Sequence, residues 1–95
     1  MIKAGIIGGA GYTGGETLRL LLHHPEVEIA FVQSESQAGK KVYDTHHDCF
    51  GATELIFQKE ISDAEVLFLC KGHGESKKFL ESNKINEKTK IIDLS

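Results

Sequence analysis

Six glycines stand within the eleven residues of GIIGGAGYTGG, positions 5 to 15. Helices and strands both disfavour glycine, so a run this dense marks a place where the backbone itself must be reached. Gly8, Gly11 and Gly14 follow the spacing G-x-x-G-x-x-G, a variant of the fingerprint that closes a first strand and opens a first helix around a dinucleotide. In that arrangement Gly8 takes the tight turn, Gly11 lets a pyrophosphate approach the main chain, and Gly14 lets the helix lie close on the strand. The phosphates then sit on the free N–H groups of Ala10, Gly11, Tyr12 and Thr13, where the helix dipole favours negative charge. Thr13 adds a hydroxyl donor. A glycine-rich turn without a ligand is the bland alternative; the strand before it, the helix after it and the second strand favour nucleotide binding.

The choice of nucleotide turns on QSESQAGK, residues 33 to 40. An acidic residue about 20 positions past the glycines holds an adenosine ribose through its 2′-hydroxyl, and Glu35 stands 21 beyond Gly14. That pattern favours NAD. Ser34 and Ser36 offer hydroxyls and Lys40 a cation, which together suit the 2′-phosphate of NADP, and an outward-pointing Glu35 would have no cofactor role at all. Both cofactor readings stay open on these residues.

Other groups with chemistry to offer lie further along. Asp44, His46, His47, Asp48 and Cys49 crowd the segment DTHHDC, but adjacent ligands rarely converge on one ion without a second anchoring pair, so no metal is expected. Cys70 ends an apolar run and reads as a small core residue, with Lys71 the neighbour that would have to activate it as a nucleophile. In KGHGES, Gly72 and His73 fall beside the switch point where open α/β sheets take their ligands. They read as contacts to the nicotinamide half of a cofactor, or as the turn that starts a helix at Glu75 and Ser76.

The elements that must position these groups alternate. Ile2–Gly8 reads as a buried strand, Gly11–His24 as a helix with Gly14, Thr17, Leu18, Leu21 and Leu22 on one face, and Pro25 as its stop, with His23 and His24 at the helix end. Glu28–Gln33 is a second strand, Ser34–Gly51 a loop with room for a helical turn, and Leu55–Phe57 a weaker third strand. Glu65–Cys70 is a fourth, Glu75–Asn83 a helix with Phe79 and Leu80 facing in, and Lys90–Leu94 a fifth. Apolar strands alternating with helices predict an α/β fold of Rossmann type, a parallel sheet with helices on both faces. The last strand ends at Ser95 with no covering helix, so residues 1–95 are expected to be one nucleotide-binding domain cut short.

Composition sets the outer limits. A chain of 95 residues holds one domain at most and buries only about 60 to 65% of its unfolded surface. Forty per cent apolar and 26% charged residues describe an ordinary globular protein, and a net charge of −3 argues against a nucleic-acid surface. No apolar run approaches the roughly 20 residues needed to span a bilayer. Met1-Ile2-Lys3-Ala4 enters a strand without a signal peptide, and two cysteines make no disulfide framework, so the expected compartment is the cytoplasm.

GGAGYTGGETLRLLLHHPEVEI, SESQAGK, LFLCKGHGES and IIDLS together resemble the amino-terminal part of the N-acetyl-gamma-glutamyl-phosphate reductase family of arginine biosynthesis, over essentially the whole chain. The glycine loop alone also fits the related aspartate-semialdehyde dehydrogenases; GYTG, the H-P helix end and HG-x-S separate the two. The resemblance implies NADPH-dependent reduction of an acyl phosphate, N-acetyl-glutamyl phosphate, to its semialdehyde by an enzyme that is homo-oligomeric at full length. It also implies a catalytic cysteine in a P-G-C-Y-P-T segment. That segment does not occur here, neither Cys49 nor Cys70 matches it, and no catalytic residue is expected in this chain, which alone would be inactive. The expected cofactor contacts are Gly8, Ala10, Gly11, Tyr12, Thr13, Gly14, Ser34, Ser36, Lys40, Gly72 and His73. A semialdehyde dehydrogenase of the related group and a non-enzymatic nucleotide-sensing module are the alternatives.

Overall fold

A computed structural model describes residues 1–72 and 74–94. Four parallel strands, β1 (Ile2–Ile7), β2 (Val27–Gln33), β3 (Val66–Leu69) and β4 (Lys90–Asp93), form one sheet in the order β2-β1-β3-β4. The chain passes from β1 to β2 on one side and then crosses to β3 on the other. The switch point of the sheet therefore lies between β1 and β3.

Helices cover both faces, as the unbroken apolar character of the strands requires. Helix α1 (Tyr12–Leu22) buries Gly14, Thr17, Leu18 and Leu21, spaced three and four apart, and His23 caps its carboxyl end, two residues before Pro25. On its side of the sheet Leu18 and Leu21 pack with Ala4, Ile6, Val32, Cys70 and Phe57. A short helix α2 (Val42–Thr45) and a 3₁₀ turn (His47–Cys49) close that face through Val42 and Cys49. Across the sheet, helix α3 (Glu75–Ser82) places Phe79 against Ile7, Phe31, Leu67 and Leu69.

Two strand details shape the core. The register of β1 on β2 jumps from Ala4↔Ile29 to Gly5↔Phe31, so Ala30 is the extra residue of a bulge. Its effect is to put Ala30 and Phe31 on the α3 face together and return Val32 to the α1 face. The Phe31 ring crosses β1 where a Cβ on Gly5 would stand 2.3 Å from Cε1, which is why that strand position carries glycine.

Two expectations from the sequence change. Leu55–Phe57 is not a strand of the sheet: Ile56 makes an isolated antiparallel bridge with Lys41, and only Gln58 reaches the edge of β2, through one parallel bridge to Gln33. Phe57 turns inward, 1% exposed, while Ile56 stays 48% exposed; a three-residue apolar stretch is spent on core filling and has no ladder to extend. In α3, Ser76 and Phe79 occupy the buried face at i and i+3, which leaves Leu80 38% exposed. Among the described residues no helix is long and apolar enough to cross a membrane.

Candidate functional site

The carboxyl ends of β1, β2 and β3 open into a cleft of about 400 Å³. Gly8, Ala10 and Gly11 supply one wall, Gln33, Ser34, Glu35 and Ser36 a second, and Cys70, Lys71, Gly72 and Glu75 a third. A second cleft of about 380 Å³, including Ile61, Asp63, Asn86 and Thr89, lies by the amino ends of β3 and β4, away from the switch point.

The glycines differ in what surrounds them. Gly8 has φ +75°, the left-handed region in which side chains are strained, and a Cβ there would also meet Lys71 Cγ at 2.8 Å. Gly14 is buried against the turn, so that a Cβ would lie 2.6 Å from Gly9 Cα and 2.7 Å from the Gly8 oxygen. Gly11 has nothing within 4 Å of its Cβ position. It is the N-cap of α1 in extended conformation, with no side-chain cap and no acidic residue in the first turn. The first intrahelical bond runs from Gly15 N–H to the Gly11 oxygen at 2.9 Å, so the amides of Tyr12, Thr13 and Gly14 precede it as helix-end donors. Open space in front of uncapped N–H groups is where an anion fits.

The turn before this row is clamped. Gln33, 3% exposed at the end of β2, accepts the Gly8 N–H on its side-chain oxygen at 3.1 Å and the Gly9 N–H on its main-chain oxygen at 2.8 Å, and its amide donates to the Lys59 oxygen at 3.2 Å. From the opposite side His46 Nε2 lies 2.6 Å from the Gly9 oxygen. In the sequence Gln33 shows only as a polar residue closing an apolar strand, and His46 only among the candidate metal ligands of Asp44–Cys49.

Beyond β2 the chain makes a tight turn. Ser34 is buried, and its Oγ accepts the Gln37 N–H at 3.2 Å and lies 3.5 Å from Ser36 Oγ. Glu35 and Ser36 are exposed toward the cleft. Lys40 does not line it: the residue is exposed, its N–H donates to the Gln37 oxygen at 3.1 Å, and its carbonyl accepts the Phe57 N–H at 2.9 Å. Tyr12 and Thr13, in the first turn of α1, are exposed beside the cleft rather than in its walls.

Cys70 Sγ lies 3.7 Å from Thr17 Oγ1, whose own proton goes to the Thr13 oxygen at 2.8 Å, so the thiol is the donor of that pair. Burial first and the Asp93 charge after it push the Cys70 thiol up, so Cys70 stays a protonated wall of the cleft. Cys49 is raised likewise, by burial first and then by Asp48. In the Asp44–Cys49 segment Cys49 faces the core, Asp48 meets Arg19 at 3.5 Å and His46 meets Gly9. No three potential metal ligands converge among the described residues. Gly72 lines the cleft and its carbonyl accepts the Glu75 N–H at 3.0 Å, so it both faces the cleft and starts α3; His73 lies outside the described residues.

Residues 3–95 match the model of the semialdehyde dehydrogenase, NAD binding domain family. The chain belongs to that family. N-acetyl-gamma-glutamyl-phosphate reductase of Christiangramia forsetii is 62% identical over 96 residues, and that of Bacteroides fragilis 57% over 97 residues; each comparison covers 100% of this chain. The chain spans about 30% of the length of these relatives. A crystal structure of aspartate semialdehyde dehydrogenase with NADP from Candida albicans is similar in fold, with a TM-score of 0.71 and 24% identity over 86% of this chain and 26% of that one. Open parallel α/β sheets take ligands at the carboxyl ends of their strands, the edge on which the 400 Å³ cleft lies here.

Proposed function

We propose that residues 1–95 are the cofactor-binding part of an N-acetyl-gamma-glutamyl-phosphate reductase, and that the cleft at the switch point takes NADPH. The observation that carries the proposal is Gly11: open space at the uncapped start of α1, on the wall of a cleft built from three strand ends. In this reading the pyrophosphate sits against the N–H groups of Ala10, Gly11, Tyr12 and Thr13, with Gly8 providing the turn and Gly14 the close helix. Ser34 and Ser36 hold the adenosine ribose and its 2′-phosphate, and the side chain of Lys40 reaches in from its exposed turn. Gly72 and His73 border the nicotinamide half. NADPH supplies the hydride. The residues of this chain bind and orient it; the acyl phosphate, its nucleophile and the oligomer interface belong to other parts of a longer cytoplasmic enzyme.

The relatives at 57 and 62% identity support this substrate over that of the aspartate-semialdehyde dehydrogenases. The test is a chimera in which these 95 residues replace the matching segment of the Christiangramia forsetii relative. NADPH oxidation dependent on N-acetyl-glutamyl phosphate is expected from the chimera and absent from the 95-residue chain alone. A folded chimera that oxidises no NADPH with this substrate would overturn the reading of these residues as the cofactor-binding part.

A further inference from the structure

His46 and Gly15 belong to no fingerprint, yet they meet over the glycine turn. A Cβ on Gly15 would stand 2.7 Å from both Cε1 and Nδ1 of His46, so the imidazole lies directly on the first turn of α1. Its other side meets Phe57, with ring centroids 6.1 Å apart and planes at 65°. Phe57 is itself fixed in the core, 1% exposed, with main-chain bonds to Gly39 and Lys40. The ring is thus held between α1 and a core aromatic, and its Nε2 reaches the Gly9 oxygen at 2.6 Å. A carbonyl oxygen only accepts, so Nε2 carries the proton.

The consequence follows from peptide geometry. The Gly9–Ala10 peptide is trans, so a carbonyl drawn toward His46 turns the Ala10 N–H in the opposite direction. Ala10 lines the cleft, and it is the first of the amides assigned to the pyrophosphate. The preceding Gly8–Gly9 peptide is anchored as well, its N–H donating to the Gln33 oxygen at 2.8 Å. We propose that His46 is a positioning residue for pyrophosphate binding, which fixes the Gly9–Ala10 peptide from the loop that follows β2, and that Gly15 is glycine to admit its ring. The proposal rests on the nucleotide reading above. It also explains a second glycine in α1 where alanine would favour the helix.

The experiment uses the ¹⁵N-labelled 95-residue chain with His46→Ala, His46→Gln and Gly15→Ala. Without any nucleotide, His46→Ala and Gly15→Ala are expected to lower the order and raise the amide exchange of Ala10–Thr13, while His46→Gln, which retains an N–H donor, keeps both near the parent values. With NADPH the two disruptive variants should bind about fivefold to tenfold more weakly and His46→Gln within about threefold of the parent. Adenosine 2′-monophosphate, which lacks the pyrophosphate, should bind all four proteins equally. Unchanged Ala10–Thr13 amides in His46→Ala overturn the proposal, as does equal weakening of both nucleotides, which marks a merely structural role. A parent chain that binds neither nucleotide removes the nucleotide reading instead, and the nucleotide-free amide measurements still decide whether His46 orders the turn.

Discussion

Replacing Gly14 by alanine tests whether α1 is seated on bare backbone. The new Cβ would lie 2.6 Å from Gly9 Cα, 2.7 Å from the Gly8 oxygen and 2.8 Å from the Gly9 carbonyl carbon, and none of these atoms can rotate away. Overpacking of this kind costs about 3 kcal/mol when the neighbour is rigid. Against it, alanine for glycine inside a helix contributes about 1 kcal/mol of stability. The net loss is about 2 kcal/mol, which for a domain of this size lowers the Tm by roughly 8 to 16 °C. Thermal unfolding followed by circular dichroism reads this directly, with Gly11→Ala as the companion, because nothing lies within 4 Å of the Gly11 Cβ position and the Tm should move by only a few degrees. A Gly14→Ala chain that melts at or above the parent temperature would falsify the close seating of α1 on the turn.

Gly11→Val should leave the chain folded and raise the NADPH Kd by about tenfold or more, measured by calorimetric titration, since a branched side chain fills the space before the α1 amides; equal affinities would leave the glycines a packing role only. Lys40→Ala is expected to weaken NADPH about fivefold and spare NADH, the size of a partly exposed charge-assisted contact, while Glu35→Ser changes NADH little; loss of a clear NADH preference in Glu35→Ser would make Glu35 the ribose ligand. Both cysteines should resist Ellman's reagent in the native chain at pH 8 and react at once in urea, because burial holds each thiol protonated. Their raised values also set a sign: the unfolded chain sheds its thiol protons first, so the contribution to stability is full below the ordinary thiol pKa and is lost as pH rises through the folded values. Urea midpoints that rise across that range would contradict it.

The parallel sheet was legible because its strands are apolar without alternation and are separated by a helix of clear period, and glycine spacing at one strand end pointed to the candidate cleft. What escaped depends on contacts between distant segments. Nothing local marks the Ala30 bulge that carries Phe31 across to Gly5, since it exists only in the register of two strands. Leu55–Phe57 has strand composition, yet Phe57 fills the core beside α1 and the segment meets the sheet at one residue. Gln33 and His46 hold the turn through side chains that come from 25 and 37 positions away, a separation across which no spacing rule operates. Lys40 shows the converse: its charge suggested the cleft, but its turn is folded back on Phe57 and leaves only the length of the side chain to reach it.

Titration of NADP⁺ into the ¹⁵N-labelled chain tests, residue by residue, whether the cleft at the carboxyl ends of β1, β2 and β3 holds the cofactor. Saturable shifts are expected at the amides of Gly8, Ala10 to Gly14, Ser34 to Ser36 and Gly72. Shifts centred instead on Ile61, Asp63, Asn86 and Thr89, at the other end of the sheet, or no shifts at millimolar nucleotide, would contradict it.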